Sequence, residues 1–233
     1  MTSIYEELRQ RIIRNDLQPA ARINIDALTR ELGVSQTPIR EALQHLEGAR
    51  LVTREQGRGY ATTPLLDETS LRHLFEVRML IEPWSAKVVA ADRAWNPGPD
   101  LTALIERFEE EHPSVSPRLE LAEHDLEFHT IVHRATGNTF LVNAFVDMHP
   151  QLHVCRLYGE DFDGTYTLDD HRSIAKAITD CDPVAAERAM RDHLESALRF
   201  LLAQLNPAGP ASPVASRDLP NRSQVFLKPN QPG

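Results

Sequence analysis

The stretch Glu31-Leu-Gly-Val-Ser-Gln-Thr-Pro-Ile-Arg-Glu-Ala-Leu43 decides how the first quarter of this chain is read. Gly33 permits a tight turn, and Ser35 with Pro38 supplies a hydroxyl cap and an early-turn proline, so a helix opens there with Ile39, Leu43 and Leu46 facing inward. Before the turn, Ile25, Leu28 and Leu32 mark a short helix that Gly33 stops. Further upstream, Ser3-x-x-Glu6 is a capping-box pattern, and Ile4, Leu8, Ile12 and Ile13 carry a first helix to about Asn15, broken by Leu17-Gln-Pro19. Downstream, residues 51–54 (LVTR) and 60–63 (YATT) read as short strands around Gln56-Gly57-Arg58-Gly59, a glycine-bearing hairpin loop. Helix, helix, turn, helix and hairpin make a winged helix-turn-helix over residues 1–64.

That architecture predicts contact with double-stranded DNA. Ser35 and Thr37 are placed to bond phosphates, Arg40 lies one turn into the recognition helix within reach of a base edge, and Arg54 and Arg58 in the wing can enter the adjacent minor groove. A winged helix that docks protein is the alternative. The net charge of −9 looks wrong for a DNA binder, but its distribution removes the difficulty. Residues 1–64 hold nine arginines and no lysine against eight acids, so the acidity belongs to the remainder of the chain.

From residue 65 the chain changes character and reads as helical almost to its end. Thr63-Pro64-Leu-Leu-Asp67 suggests a hinge, set at 65–69. Helices are expected near 67–94, kinked or broken at Pro83, and near 99–111, 117–135, 139–158, 168–179 and 183–205, an antiparallel bundle of six over 70–205. Phe75, Leu80, Phe128, Ile131, Val142 and Phe145 are expected to form its core. Residues 206–233, with six prolines and little apolar periodicity, read as a flexible Pro-rich tail. The fold class is therefore mainly α. No run is long and apolar enough for a membrane span, no signal-peptide core opens the chain, and Cys155 and Cys181 are too few for a disulfide framework. A cytoplasmic location is expected.

The 31–43 stretch resembles the LGVSRTPVREAL pattern of the GntR family of transcriptional regulators, matching at almost every position. Two departures stand out: Ala20-Ala21 replaces the usual glycine after Pro19, and Gln36 replaces the usual Arg. Arg pairs best with guanine and Gln with adenine, so Gln36 implies an operator that differs from the family's usual half-site at one base.

In the helical part, Arg78-x-x-x-Glu82, Asp125-Leu-Glu-Phe-His129, Gly137-Asn138, His171 and His193 resemble the FadR-type C-terminal domain called FCD. Six helices instead of seven point to its VanR-like branch. The resemblance implies a homodimer on a palindromic operator, and in metal-binding members an Asp and three His hold a divalent ion. The matching positions are Asp125, His129, His171 and His193. Spacing agrees in part, because Asp125 and His129 share one helix face, yet His133 continues that row and His124 adjoins it, so spacing alone does not choose among them. The donor set suits zinc, with nickel or manganese as alternatives. Open coordination positions could take the carboxylate of a small organic acid effector. Arg78 and Arg156 are candidates to hold an effector's acidic group, with an Arg78–Glu82 salt bridge as the alternative for the first. His45, His73, His112, His149 and His153 are expected to be surface or packing residues.

Repression is the expected activity, with activation through the same DNA-binding domain as a rival. A metal-dependent helical-bundle enzyme is a rival of another class. Glu109-x-x-His112 supplies one ligand motif of the di-iron type, but a second is missing, as are a nucleophile, oxyanion glycines and a phosphate loop.

Overall fold

A computed structural model describes residues 3–112, 118–158 and 164–205. The expected tail at 206–233 lies outside the described residues. The first helix, α1 (Ile4–Ile13), starts where Ser3 Oγ accepts the Glu6 N–H at 3.1 Å, and it ends slightly earlier than the apolar pattern implies, with Asn15 left-handed at φ 61°. Asn24 caps α2 (Ile25–Leu32), which Gly33 closes at φ 66°, a conformation that costs glycine little. After this turn comes α3 (Gln36–Gly48), then an antiparallel hairpin of β1 (Val52–Glu55) and β2 (Gly59–Thr62) in the register Val52↔Thr62. A bridge between Arg22 and Ala61 ties the segment before α2 to the wing. Leu8, Ile12, Leu28, Ile39, Leu43, Leu46, Leu51 and Tyr60 fill the interior. This is the winged helix expected from the sequence.

The remainder is helical: α4 (Glu68–Ala91), α5 (Gly98–Glu111), α6 (Arg118–Ala135), α7 (Thr139–Asp147), α8 (Pro150–Val154), a 3-10 turn (Cys155–Leu157), α9 (Thr165–Thr179) and α10 (Pro183–Leu205). Asp67 caps α4 through the Ser70 N–H, and Asn138 caps α7 after Gly137, which sits at φ 72°. Three sequence expectations need correction. The helix expected over 139–158 is split, because His149 precedes Pro150 and the proline ring disfavours helical backbone just before it; His149 adopts φ 45° instead. The described part of this region therefore has seven α-helical segments, and the count of six that pointed to the VanR-like branch does not hold. Leu80, expected in the core, is 76% exposed, because the inward row of α4 runs through Leu71, Phe75, Arg78, Glu82, Ala86 and Val89. Of the kink or break expected at Pro83, the break does not occur, and α4 continues through the proline to Ala91.

The bundle core is made by α4, α5, α6, α9 and α10, with Phe75, Val89, Leu101, Ile105, Phe128, Ile174, Ile178, Met190 and Leu194 buried together. One glycine is dictated by packing. A Cβ on Gly98 would collide with Thr179 Oγ1 and lie 2.8 Å from the Thr179 backbone N and Cα, where α5 starts against the end of α9. Gly98→Ala should lower unfolding stability by about 1–3 kcal/mol, read as a shifted midpoint in chemical denaturation; an unchanged midpoint would show that the two helix ends can part freely.

The linker is not a slack tether between independent bodies. Leu119 and Ala122 of α6, Leu152 of α8 and Cys155 join the same buried cluster as Leu8, Ile12 and Ile13 of the winged helix. Polar contacts reinforce this seat. Arg9 of α1 meets Glu123 of α6 at 2.5 Å, and Asn15 Nδ2 donates to the Arg156 carbonyl at 3.1 Å. Arg156 donates to Thr63 Oγ1 at 2.9 Å and to the Thr63 carbonyl at 2.8 Å. Leu65 and Leu66 pack on the bundle core. No helix among the described residues is long and apolar enough to cross a membrane.

Candidate metal centre and DNA-reading surface

Helices α6, α9 and α10 bring Asp125, His129, His171 and His193 together, and one donor atom from each lies within 4.8 Å of all the others. The three imidazoles are buried, while the Asp125 side chain keeps 18% of its surface exposed. Asp125 Oδ1 stands 3.5 Å from His129 Nε2 and 3.3 Å from His171 Nε2. Both of these Nε2 atoms are buried without a hydrogen-bond partner. Leaving a buried polar nitrogen unsatisfied costs about 1–3 kcal/mol, so two of them aimed at one carboxylate fit a divalent cation between the rings. Neutral imidazole and carboxylate donors match a borderline ion.

The opposite edge of each ring also faces a polar neighbour, although His129 Nδ1, within ion-pair reach of Glu82, forms no aligned hydrogen bond. His129 Nδ1 lies 2.5 Å from Glu82 Oε2, His193 Nδ1 lies 3.2 Å from Asp170 Oδ2, and His171 Nδ1 lies 3.2 Å from His124 Nε2. His171 further stacks on Phe128, with ring centroids 3.9 Å apart and an interplanar angle of 1°. Burial alone would depress the pKa of His129, but the Glu82 and Asp125 carboxylates on its two sides outweigh it and raise the ring to about 9, so a metal ion would have to displace a proton from this ring to use it as a neutral donor. His124 has no such support, and burial pulls it down to about 4, so it meets His171 as a neutral ring. The two histidines that spacing could not separate from the ligand set are thereby distinguished. His124 backs His171, and His133 turns its Nδ1 to Ser85 Oγ at 3.0 Å. Sequence reasoning missed Glu82, His124 and Asp170 as supports, since two of those contacts cross between helices that are distant in the chain. Asp170, adjoining His171, and His124, adjoining Asp125, carried local hints.

The two arginines assigned to an effector are placed differently. Arg78 is buried and forked onto Glu82, with Nε donating to Oε1 at 2.5 Å and the guanidinium 5.0 Å from the centre of the Phe75 ring, so the salt-bridge alternative is the one formed. Arg156 lies at the joint with the winged helix, donating to Thr63, and makes no ion pair among the described residues. Its pKa is lowered by burial.

On the winged helix, Ser35, Gln36, Thr37 and Arg40 are all exposed on the first turns of α3, and Arg54 and Arg58 are exposed on the wing. Ser35 occupies the cap position, yet its hydroxyl forms no cap hydrogen bond, which leaves it open to a phosphate oxygen. Gln36 is already engaged: its Nε2 donates to Asp26 Oδ1 at 2.7 Å, and its Oε1 accepts from Arg40 at 3.3 Å. Arg54 lies 5.8 Å from the Tyr60 ring centre, and Arg58 is 3.6 Å from Glu55.

A winged helix with an exposed, arginine-bearing recognition helix, seated on a helical bundle that gathers an Asp and three His, is the architecture of a DNA-binding regulator with a second, helical domain. Residues 73–196 match the FCD domain, and residues 1–61 match the bacterial regulatory proteins of the gntR family. The chain belongs to the GntR family of transcriptional regulators, with an FCD domain at its C-terminal side. Among curated relatives, it is 26% identical to the HTH-type transcriptional regulator YdhC of Bacillus subtilis, over 81% of this chain and 85% of that protein. It is 25% identical to the HTH-type transcriptional repressor GlaR of Escherichia coli, over 82% and 90%, and 25% identical to the gluconate operon transcriptional repressor of Bacillus subtilis, over 74% and 72%. Two solved structures share the fold. A GntR transcriptional regulator from Rhodococcus sp. RHA1 superposes with a TM-score of 0.66 at 20% identity, over 86% of this chain and 96% of that one. Escherichia coli McbR/YncC does so with a TM-score of 0.65 at 14% identity, over 88% and 100%.

Proposed function

We propose that this protein is a cytoplasmic homodimeric repressor that holds a palindromic operator until a small carboxylate binds at a divalent ion held by Asp125, His129, His171 and His193. The observation that carries this reading is the convergence of those four side chains with two buried Nε2 atoms unpartnered. Zinc suits the donors best, with nickel or manganese as alternatives. When bound, the ion would supply a Lewis-acidic anchor for the effector carboxylate; the protein's own residues hold, orient and shield it. Repression, rather than activation, is favoured because relatives of similar length bear that name. The DNA contacts are assigned to Ser35, Gln36, Thr37, Arg40, Arg54 and Arg58.

The route from sensor to reader is short. One side of α6 presents Asp125 and His129 to the cluster, while Leu119, Ala122 and Glu123 of the same helix seat the winged helix. A small shift of α6 on effector binding changes the seat directly, and the effector's preference for the DNA-free arrangement sets how far operator affinity falls. The test is fluorescence anisotropy on the operator with a panel of small organic acids, gluconate included because of the name of one relative. With metal-loaded protein, the right acid should weaken binding about 5- to 150-fold, as allosteric couplings typically do, and chelation should remove the response. If no acid shifts the metal-loaded protein, or chelation leaves the shift unchanged, the reading is wrong.

A further inference from the structure

We infer that Glu82, fixed in place by Arg78, is a positioning residue for the metal centre: it takes the Nδ1 edge of His129 and thereby aims Nε2 at the ion. The inference rests on the metal reading above but concerns residues that lie outside the four-residue set. Glu82 is fully buried in the middle of α4, where an uncompensated carboxylate would be costly. Two contacts compensate it. Arg78, one turn earlier on the same helix, donates from Nε to Oε1 at 2.5 Å and from its second nitrogen to Oε2 at 3.4 Å; His129 Nδ1 stands 2.5 Å from Oε2. Phe75 covers the guanidinium and closes the row.

A simple structural salt bridge accounts for Arg78 and Glu82 but not for the third member. His129 is the one imidazole of the cluster whose outer edge meets a carboxylate that is itself fully buried and held by a cation. His193 relies on Asp170, which is 40% exposed, and His171 relies on another imidazole, His124, and not on a carboxylate. A carboxylate behind a ligating histidine fixes its tautomer and ring orientation and raises its donor strength, and losing such a partner typically costs 10- to 100-fold in metal affinity. The row Arg78–Glu82–His129 also explains why Arg78 is buried with its fork closed: it neutralises Glu82, leaving Asp125 as the anionic donor facing the ion.

The test is zinc affinity, by competition with a chromophoric chelator on the full-length protein, for wild type, Glu82→Gln and Arg78→Lys. Cobalt(II) absorption spectra serve as a second readout, because a merely structural role would not alter the ligand field. Glu82→Gln should lose 10- to 100-fold in zinc affinity and change the cobalt spectrum while retaining wild-type circular dichroism; Arg78→Lys, which keeps the charge but not the fork, should lose less. Should Glu82→Gln fail to fold, Arg78→Lys decides, a loss of several-fold supporting the inference and unchanged affinity overturning it. Wild-type protein that binds neither ion overturns the metal reading and this inference with it. Wild type that binds while Glu82→Gln binds equally well, with the same spectrum, overturns this inference alone.

Discussion

Arg40→Ala should weaken operator binding by about 30-fold or more while leaving the helical content and metal binding unchanged. Arg40 is exposed on the first turns of α3, on the side that also presents Ser35 and Thr37, so truncating it removes no buried packing. A good bidentate base contact is worth about 1–3 kcal/mol, and a dimer on a palindrome makes it twice, which doubles the loss in free energy. Anisotropy on the operator at fixed salt measures it, with circular dichroism as the control for folding. Affinity within threefold of wild type would mean that Arg40 does not read a base. Gln36 enters the same measurement, because its carbonyl accepts from Arg40 and its amide donates to Asp26. Gln36 Nε2 carries two N–H donors, so one can stay on Asp26 and fix the side chain while the other faces the groove.

His171→Ala should abolish stoichiometric metal binding and produce a repressor that no longer releases its operator. His171 supplies one of the two unpartnered Nε2 atoms, is fully buried and stacks on Phe128, so its loss removes a donor and opens a cavity. The packing loss should cost on the order of 2–4 kcal/mol. Metal binding has its own signature: an ion present at 100 times its dissociation constant stabilises the folded state by about 2.7 kcal/mol, so a chelator should lower the melting temperature of wild type and leave that of His171→Ala unchanged. Metal analysis of the purified variant gives the direct answer. One equivalent of metal retained by His171→Ala would remove His171 from the ligand set.

The winged helix was legible because its signals are local. Ser3, Gly33 and the hairpin glycines each act within a few residues of themselves, and the structure uses each where the sequence marks it. Longer helices were read less well. Apolar residues such as Phe145 and Leu152 continue across the break at His149, and only the following Pro150, a one-residue steric signal inside a longer periodic run, argued for splitting it. Leu119, Ala122, Leu152 and Cys155 illustrate another limit. Periodicity marks a residue as buried without saying against what, and these four pack with the winged helix. At the candidate metal centre, spacing placed Asp125 and His129 on one face but could not rank His124 or His133. Ranking them needs the approach of α9 and α4, which bring His171 against one and Ser85 against the other. Arg156 shows the same gap, since nothing near it in the chain points to Thr63.

The seat of the winged helix on α6 and α8 bears on how such regulators can be recombined. A reading head grafted from a relative by cutting in the 63–67 linker would keep its groove-facing surface but lose the fit of Leu8, Arg9 and Asn15 to Leu119, Glu123 and Arg156. Such a chimera would still recognise the donor's operator and still load the recipient's ligand, with the two events disconnected. Transplanting a working switch requires carrying the outer face of α6 and the α8 turn along with the head, and natural exchange of heads between paralogues would be followed by compensating change at those positions.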